Sequence, residues 1–210
     1  MAEESQPRFL FFPDTMCSWC YGFTPAMDEV LKHFSGRVKL ILFSGGLRPF
    51  NTEPMEDSWK DRLRDVWRDI EAITGQPFDF DFFARENFVS DTEPASRAVV
   101  TMRALNQARA YDYMCRIQSA FFATNEDIRQ PKALAGHAAH FGVDEADFLA
   151  AFSSKEMREA TLNDFAMAQK FGVQGFPTLI LERNGEFSLI ARGFTGADHV
   201  IGAVEQALAA

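Results

Sequence analysis

A strand-length apolar run, Phe9-Leu10-Phe11-Phe12, stops at Pro13-Asp14 and is followed at once by Cys17-Ser18-Trp19-Cys20. Behind the cysteines, Phe23, Met27, Val30, Leu31 and Phe34 recur at spacings of three and four, the pattern of an amphipathic helix over 22–35. A strand that ends and a helix that begins at a cysteine pair leave few folds open. The first N–H groups of a helix have no intrahelical partner, and its dipole favours negative charge there. A thiolate is therefore favoured on Cys17, with a pKa below the free value of about 8.5, and the three-residue spacing lets Cys17 and Cys20 close a small disulfide ring.

The rest of the chain extends this start. Residues 8–12 alternate too little for an exposed strand and read as buried on both faces. Gly36 closes the helix, and Val38 to Phe43 reads as a second buried strand ended by Ser44-Gly45-Gly46, which completes a βαβ unit. From about residue 50 to 165 strand signals vanish, and the spacing predicts helices at Trp59–Ile70, Thr92–Ala110, Tyr111–Ala123, Lys132–Phe141 and Glu145–Ala151. Asp91 or Thr92 with Pro94, Gln130-Pro131 and Asp144 mark starts, while Gly142 and Gly172 mark ends. A long helix follows from Ser153 to Phe171. Two short strands, 178–182 and 186–191, are joined by the hairpin signal Asn184-Gly185, and a last helix covers 197–208. The class is α/β. Residues 1–50 and 160–210 read as one discontinuous domain, and 51–159 as an all-helical insertion.

Charge and cysteine usage remove several functions. A net charge of −9 argues against nucleic acid or an anionic membrane surface, both of which demand a basic patch. Met1-Ala2-Glu3-Glu4-Ser5 is acidic, and the apolar run behind it has only about five residues, too few for a signal peptide. No 18-residue apolar stretch occurs. Taken with Met1 as the start, this predicts a cytoplasmic protein. Three cysteines do not make a disulfide framework; they read as a functional pair and a bystander, with Cys115 buried and inert in a helical stretch. Most of the 22 phenylalanines are expected in the core, with a minority free to line an apolar substrate groove.

Far downstream, Gly175-Phe176-Pro177-Thr178 precedes the first strand of the hairpin, and Tyr21-Gly22-Phe23 follows Cys20. With the Cys-X-X-Cys pair, Pro25 in the first helix and the helical insertion, these motifs resemble the DsbA family of thiol–disulfide oxidoreductases, in particular its cytoplasmic FrnE-like branch. The resemblance covers essentially the whole chain. It implies a thioredoxin fold interrupted by helices, a cis Pro177 facing the cysteines, and exchange with protein or peptide thiols. It also implies no bound cofactor beyond the redox-active disulfide, with glutathione as a candidate co-substrate. The chain departs from the family in two places. Thioredoxins and periplasmic DsbA proteins carry a buried carboxylate six residues before the first cysteine, where this chain has Phe11; Asp14 is the nearest candidate proton shuttle, a turn or cap after Pro13 being its other reading. The Ser18-Trp19 dipeptide is neither Pro-His nor Gly-Pro, so no direction of electron flow is assigned.

The expected roles follow. Cys17 attacks, Cys20 resolves, and Pro177 faces the pair, presenting the backbone of Phe176 to a substrate strand. Trp19, Phe176 and Thr178 are the candidate substrate contacts, Trp19 as an apolar lid or as plain packing. A metal-binding pair is the competing reading; it lacks a second cysteine pair, and His137 with His140 fall on a helix of the insertion. The same fold is also similar to kappa-class glutathione transferases and hydroxychromene carboxylate isomerases, which usually carry serine at the first motif cysteine. A non-enzymatic adaptor or chaperone would need neither cysteine.

Overall fold

The computed structural model describes residues 6–209. The Met1–Ser5 segment read above as carrying no address lies outside the described residues. Four strands, β1 (Arg8–Phe12), β2 (Lys39–Leu42), β3 (Thr178–Arg183) and β4 (Glu186–Arg192), form one mixed sheet in the order β2-β1-β3-β4. β1 pairs parallel with β2 and antiparallel with β3, and β3 pairs antiparallel with β4. Asn184 (φ 53°) and Gly185 (φ 86°) turn the β3–β4 hairpin, as their sequence signals. Among the described residues eight α-helices complete the fold: α1 (Ser18–His33), α2 (Asp57–Thr74), α3 (Glu93–Leu105), α4 (Ala110–Thr124), α5 (Pro131–Ala139), α6 (Glu145–Ser153), α7 (Lys155–Lys170) and α8 (Ala197–Ala209).

The helix expected over 22–35 starts four residues earlier, with Cys17 as its N-cap, so Cys20 falls inside the first turn. The predicted helix Thr92–Ala110 ends at Leu105 and gives way to a short 3-10 turn, Gln107–Arg109. β2 differs from its reading as a buried strand. It lies at the sheet edge with Lys39 exposed, because no strand among the described residues pairs beyond it. A guanidinium nitrogen of Arg103 donates to the Leu42 carbonyl, closing part of that edge.

β1 is buried from Phe9 to Phe12 and separates two apolar layers. Phe9 and Phe11 join a cluster that runs through Phe23, Met27 and Val30 of α1 into the helices; Leu10 and Phe12 join Ile180 and Ala168 on the other side. Within the helical block Trp67 is the centre of an aromatic knot, with ring centroids 4.7 to 5.3 Å from Phe83, Phe78, Phe82 and Phe122. Gly22 lets α2 close on α1: a Cβ there would run into the Ile70 side chain. The β1–β3 register sets Phe12 opposite Thr178. It therefore brings Phe176-Pro177 beside the segment that leads into α1.

Candidate active site

Both motif cysteines are free thiols at the start of α1. Their unequal burial differentiates them. Cys17 is 8% exposed and its thiol donates to the Phe176 carbonyl at 3.7 Å, whereas Cys20 is 2% exposed. The Cys20 sulfur accepts the Asp14 N–H at 3.3 Å. Burial pushes the Cys20 thiol well above the ordinary range, the adjoining Cys17 adds to this, and the Asp14 charge adds a smaller part. A thiol held protonated in this way needs a base before it can attack a disulfide.

Asp14 lies in the β1–α1 connection and is 1% exposed. Its carboxylate accepts the Met16 N–H at 2.9 Å and the Leu47 N–H at 2.7 Å, with the Thr92 hydroxyl as a further donor. Burial nonetheless dominates and raises its pKa above the usual carboxylate value. Asp14 thus caps the turn through Met16, and it is a buried, hard-to-ionise carboxyl whose backbone N–H touches the Cys20 sulfur.

The Phe176–Pro177 peptide bond is cis. The Phe176 carbonyl faces Cys17, and its ring lies against Gly45, where a Cβ would collide with it. Trp19 is half-buried and packs on Phe194 at 5.9 Å. Thr178 is buried, and its hydroxyl donates to the Gly175 carbonyl at 2.7 Å, so it shapes the turn before β3. Cys115 is half-buried on α4. Enclosure of its sulfur pushes its pKa up to about 12. His137 bonds Glu126 at 3.0 Å and receives Arg116 at 3.1 Å.

Three groups escape the sequence reading. Leu47 contributes only its N–H, and nothing in a side chain announces that. Thr92 is named as a cap, but its oxygen takes the Arg48 N–H at 3.1 Å instead. Gln118 is fully buried on α4; it donates to the Asp14 carbonyl at 3.3 Å and accepts from Thr24 at 3.4 Å. Its signal was present: a polar residue in the apolar stripe of Met114, Ile117 and Phe121.

No helix among the described residues is long and apolar enough to cross a membrane. No curated protein sequence matches the chain. Among solved structures, a protein from Nitrosomonas europaea, provisionally named as a protein disulfide isomerase, superposes with a TM-score of 0.91 at 29% identity over 98% of both chains. The cytosolic disulfide reductase DsbM from Pseudomonas aeruginosa superposes at 0.78 with 26% identity, over 96% of this chain and 98% of that one. A second structure of DsbM, with GSH, gives 0.77 at 24% identity, over 97% and 100%. The family model for the DSBA-like thioredoxin domain matches residues 9–207, and the chain belongs to this family of thiol–disulfide oxidoreductases.

Proposed function

We propose that the chain exchanges disulfides with protein or peptide thiols through Cys17 and Cys20, with glutathione as co-substrate and the cytoplasm as its compartment. One observation carries the assignment of roles: Cys17 meets the Phe176 carbonyl, while Cys20 is sealed behind it against Asp14. The Cys17 thiolate attacks one sulfur of a substrate disulfide. That S–S bond breaks, a Cys17 mixed disulfide forms, and the first substrate thiolate leaves and takes a proton from solvent. Cys20 then gives its proton to the Asp14 carboxylate and attacks the Cys17 sulfur. The mixed disulfide breaks, the second substrate thiol departs, and the Cys17–Cys20 disulfide remains. Two electrons pass from the dithiol to the substrate, and the reverse sequence oxidises a substrate dithiol. The Phe176 carbonyl takes the Cys17 thiol in the reduced protein and is released to an extended substrate backbone once Cys17 is a thiolate or a mixed disulfide. Pro177 adds no competing N–H, and the Trp19 and Phe176 rings form the apolar borders.

DsbM, named a cytosolic disulfide reductase and solved with GSH, supports both the compartment and the co-substrate. Trapping tests the roles. A Cys20→Ser variant should accumulate a mixed disulfide at Cys17 with a model disulfide peptide, and Cys17→Ser should form none. Equal trapping on Cys20 in the Cys17→Ser variant would reverse the assignment.

A further inference from the structure

The loop after β2 touches the cysteine site twice, through Gly45 against the Phe176 ring and the Leu47 N–H on Asp14. Arg48 is the next residue. Its guanidinium stands 4.9 Å from the Trp59 ring, and Arg62 of α2 stands 5.3 Å from the same ring. Stacking fixes the guanidinium planes and leaves their N–H donors unused.

The other arginines show how unusual this is. Twelve hold a carboxylate, a carbonyl or a side-chain acceptor. Among the described residues only Arg48, Arg62 and Arg158 have no such side-chain partner, and two of these three share one indole. They line a cleft of about 260 Å³ with Ser90, and Glu53 and Glu56 form part of its wall outside ion-pair distance of either arginine. A small anion entering the cleft therefore finds charged N–H donors that no carboxylate among the described residues has taken. The approach is also built firmly. Phe50 holds a left-handed φ of 63°, unusual for a bulky residue, and its N–H is fixed by the Asp91 carboxylate at 2.8 Å.

We propose that the Arg48–Trp59–Arg62 cleft binds a carboxylate of glutathione while its sulfur reacts at Cys17. The proposal rests on the redox role given to Cys17. The cleft is smaller than the roughly 300 Å³ at which whole-ligand pockets begin, so it suits one end of a ligand. Arg48 is one residue beyond the Leu47–Asp14 contact, so the cleft opens off the loop that borders the cysteine site, and an extended tripeptide spans about 10 Å. The Glu53 and Glu56 carboxylates disfavour a large polyanion and leave room for a single anionic group on the arginine side.

The test compares reduction of the Cys17–Cys20 disulfide by glutathione and by glutathione diethyl ester. Each rate is divided by that thiol's rate toward a small aromatic disulfide, which removes differences in thiol reactivity. The native protein should favour glutathione by about tenfold in kcat/KM, the equivalent of ~1.4 kcal/mol, mostly through KM. In the Arg48→Gln/Arg62→Gln double variant that preference should fall toward one. The glycyl monoester and cysteinylglycine, which lacks the γ-glutamyl unit, then show which carboxylate is held. Equal normalised rates for glutathione and its diester in the native protein, or a preference that survives the double substitution, overturn the cleft assignment. Failure of every thiol to reduce the pair removes the redox reading itself.

Discussion

Asp14→Asn separates the carboxylate's charge from its shape. The native carboxylate takes two backbone N–H groups, Met16 and Leu47, in a site closed to water. Asparagine keeps one oxygen and turns the other acceptor into a donor facing an N–H. One buried bond is lost, at about 1–3 kcal/mol. The variant also relieves a native penalty. Because burial raises the folded pKa of Asp14 above 3.8, the folded state binds a proton more tightly than the unfolded chain. The stability this gives is fully present below the unfolded pKa and is lost as pH rises through the folded one, by ~1.4 kcal/mol for each unit of elevation. Relative to the native protein, Asp14→Asn should therefore gain stability as pH rises through that window and stay level above it. Denaturant midpoints across the acid range read this directly. The kinetic effect runs the other way. With no carboxylate to take the Cys20 proton, release of a chromogenic thiol from the Cys17 mixed disulfide should slow by about 10²-fold near neutral pH. A stopped-flow trace with a preformed mixed disulfide measures it. Resolution at the native rate in Asp14→Asn, with the stability effect present, would refute Asp14 as the proton acceptor and leave it a cap.

Arg103→Ala should lower stability by about 3–5 kcal/mol, because it strands the buried Asp164 carboxylate that Arg103 holds with two bonds of 2.8 Å; urea unfolding checks this, and a loss under about 1 kcal/mol contradicts it. Cys115, with its pKa pushed up to about 12, should stay unlabelled by iodoacetamide near pH 8 while the folded protein is intact; peptide mass spectrometry reads the label, and a free-cysteine rate at Cys115 would contradict its enclosure.

The elements with a strong local signal could be read from the sequence. Asn184-Gly185 specifies a hairpin turn by backbone preference alone, and Asp144 caps α6 by accepting the Ala146 and Asp147 N–H groups on its carboxylate. The cysteine pair at a helix start is equally local. Errors appear where the outcome depends on partners far along the chain. The apolar composition of Val38–Phe43 is the same for a central strand as for an edge strand, and only the absence of a neighbour beyond β2 distinguishes them. Thr92 is the N-cap residue of α3, as its neighbours signal, but its oxygen takes the Arg48 N–H 44 residues away while Asp91 accepts the Glu93 N–H. Thr178 adjoins the proline in sequence, but strand pairing with Phe12 buries it.

The same distance argument explains what the helical block contributes to the chemistry. Phe11 stands where related proteins place a carboxylate, so β1 offers no acid to Cys20. In the proposed mechanism Asp14 supplies one from the β1–α1 connection, where the Met16 N–H bonds its carboxylate and the Cys17 N–H its carbonyl. Further support comes from outside that connection: Leu47 from the β2–α2 loop, Thr92 from the start of α3, and Gln118 from α4, which donates to the Asp14 carbonyl. Thr92 and Gln118 fall in the segment that the sequence suggests as a helical insertion. A carboxylate in a loop can act on a buried thiol only if its position is fixed to within a hydrogen bond. In the proposed mechanism the elements after β2 therefore steady the proton-handling half of the site, and the β1–α1 unit carries the sulfur half.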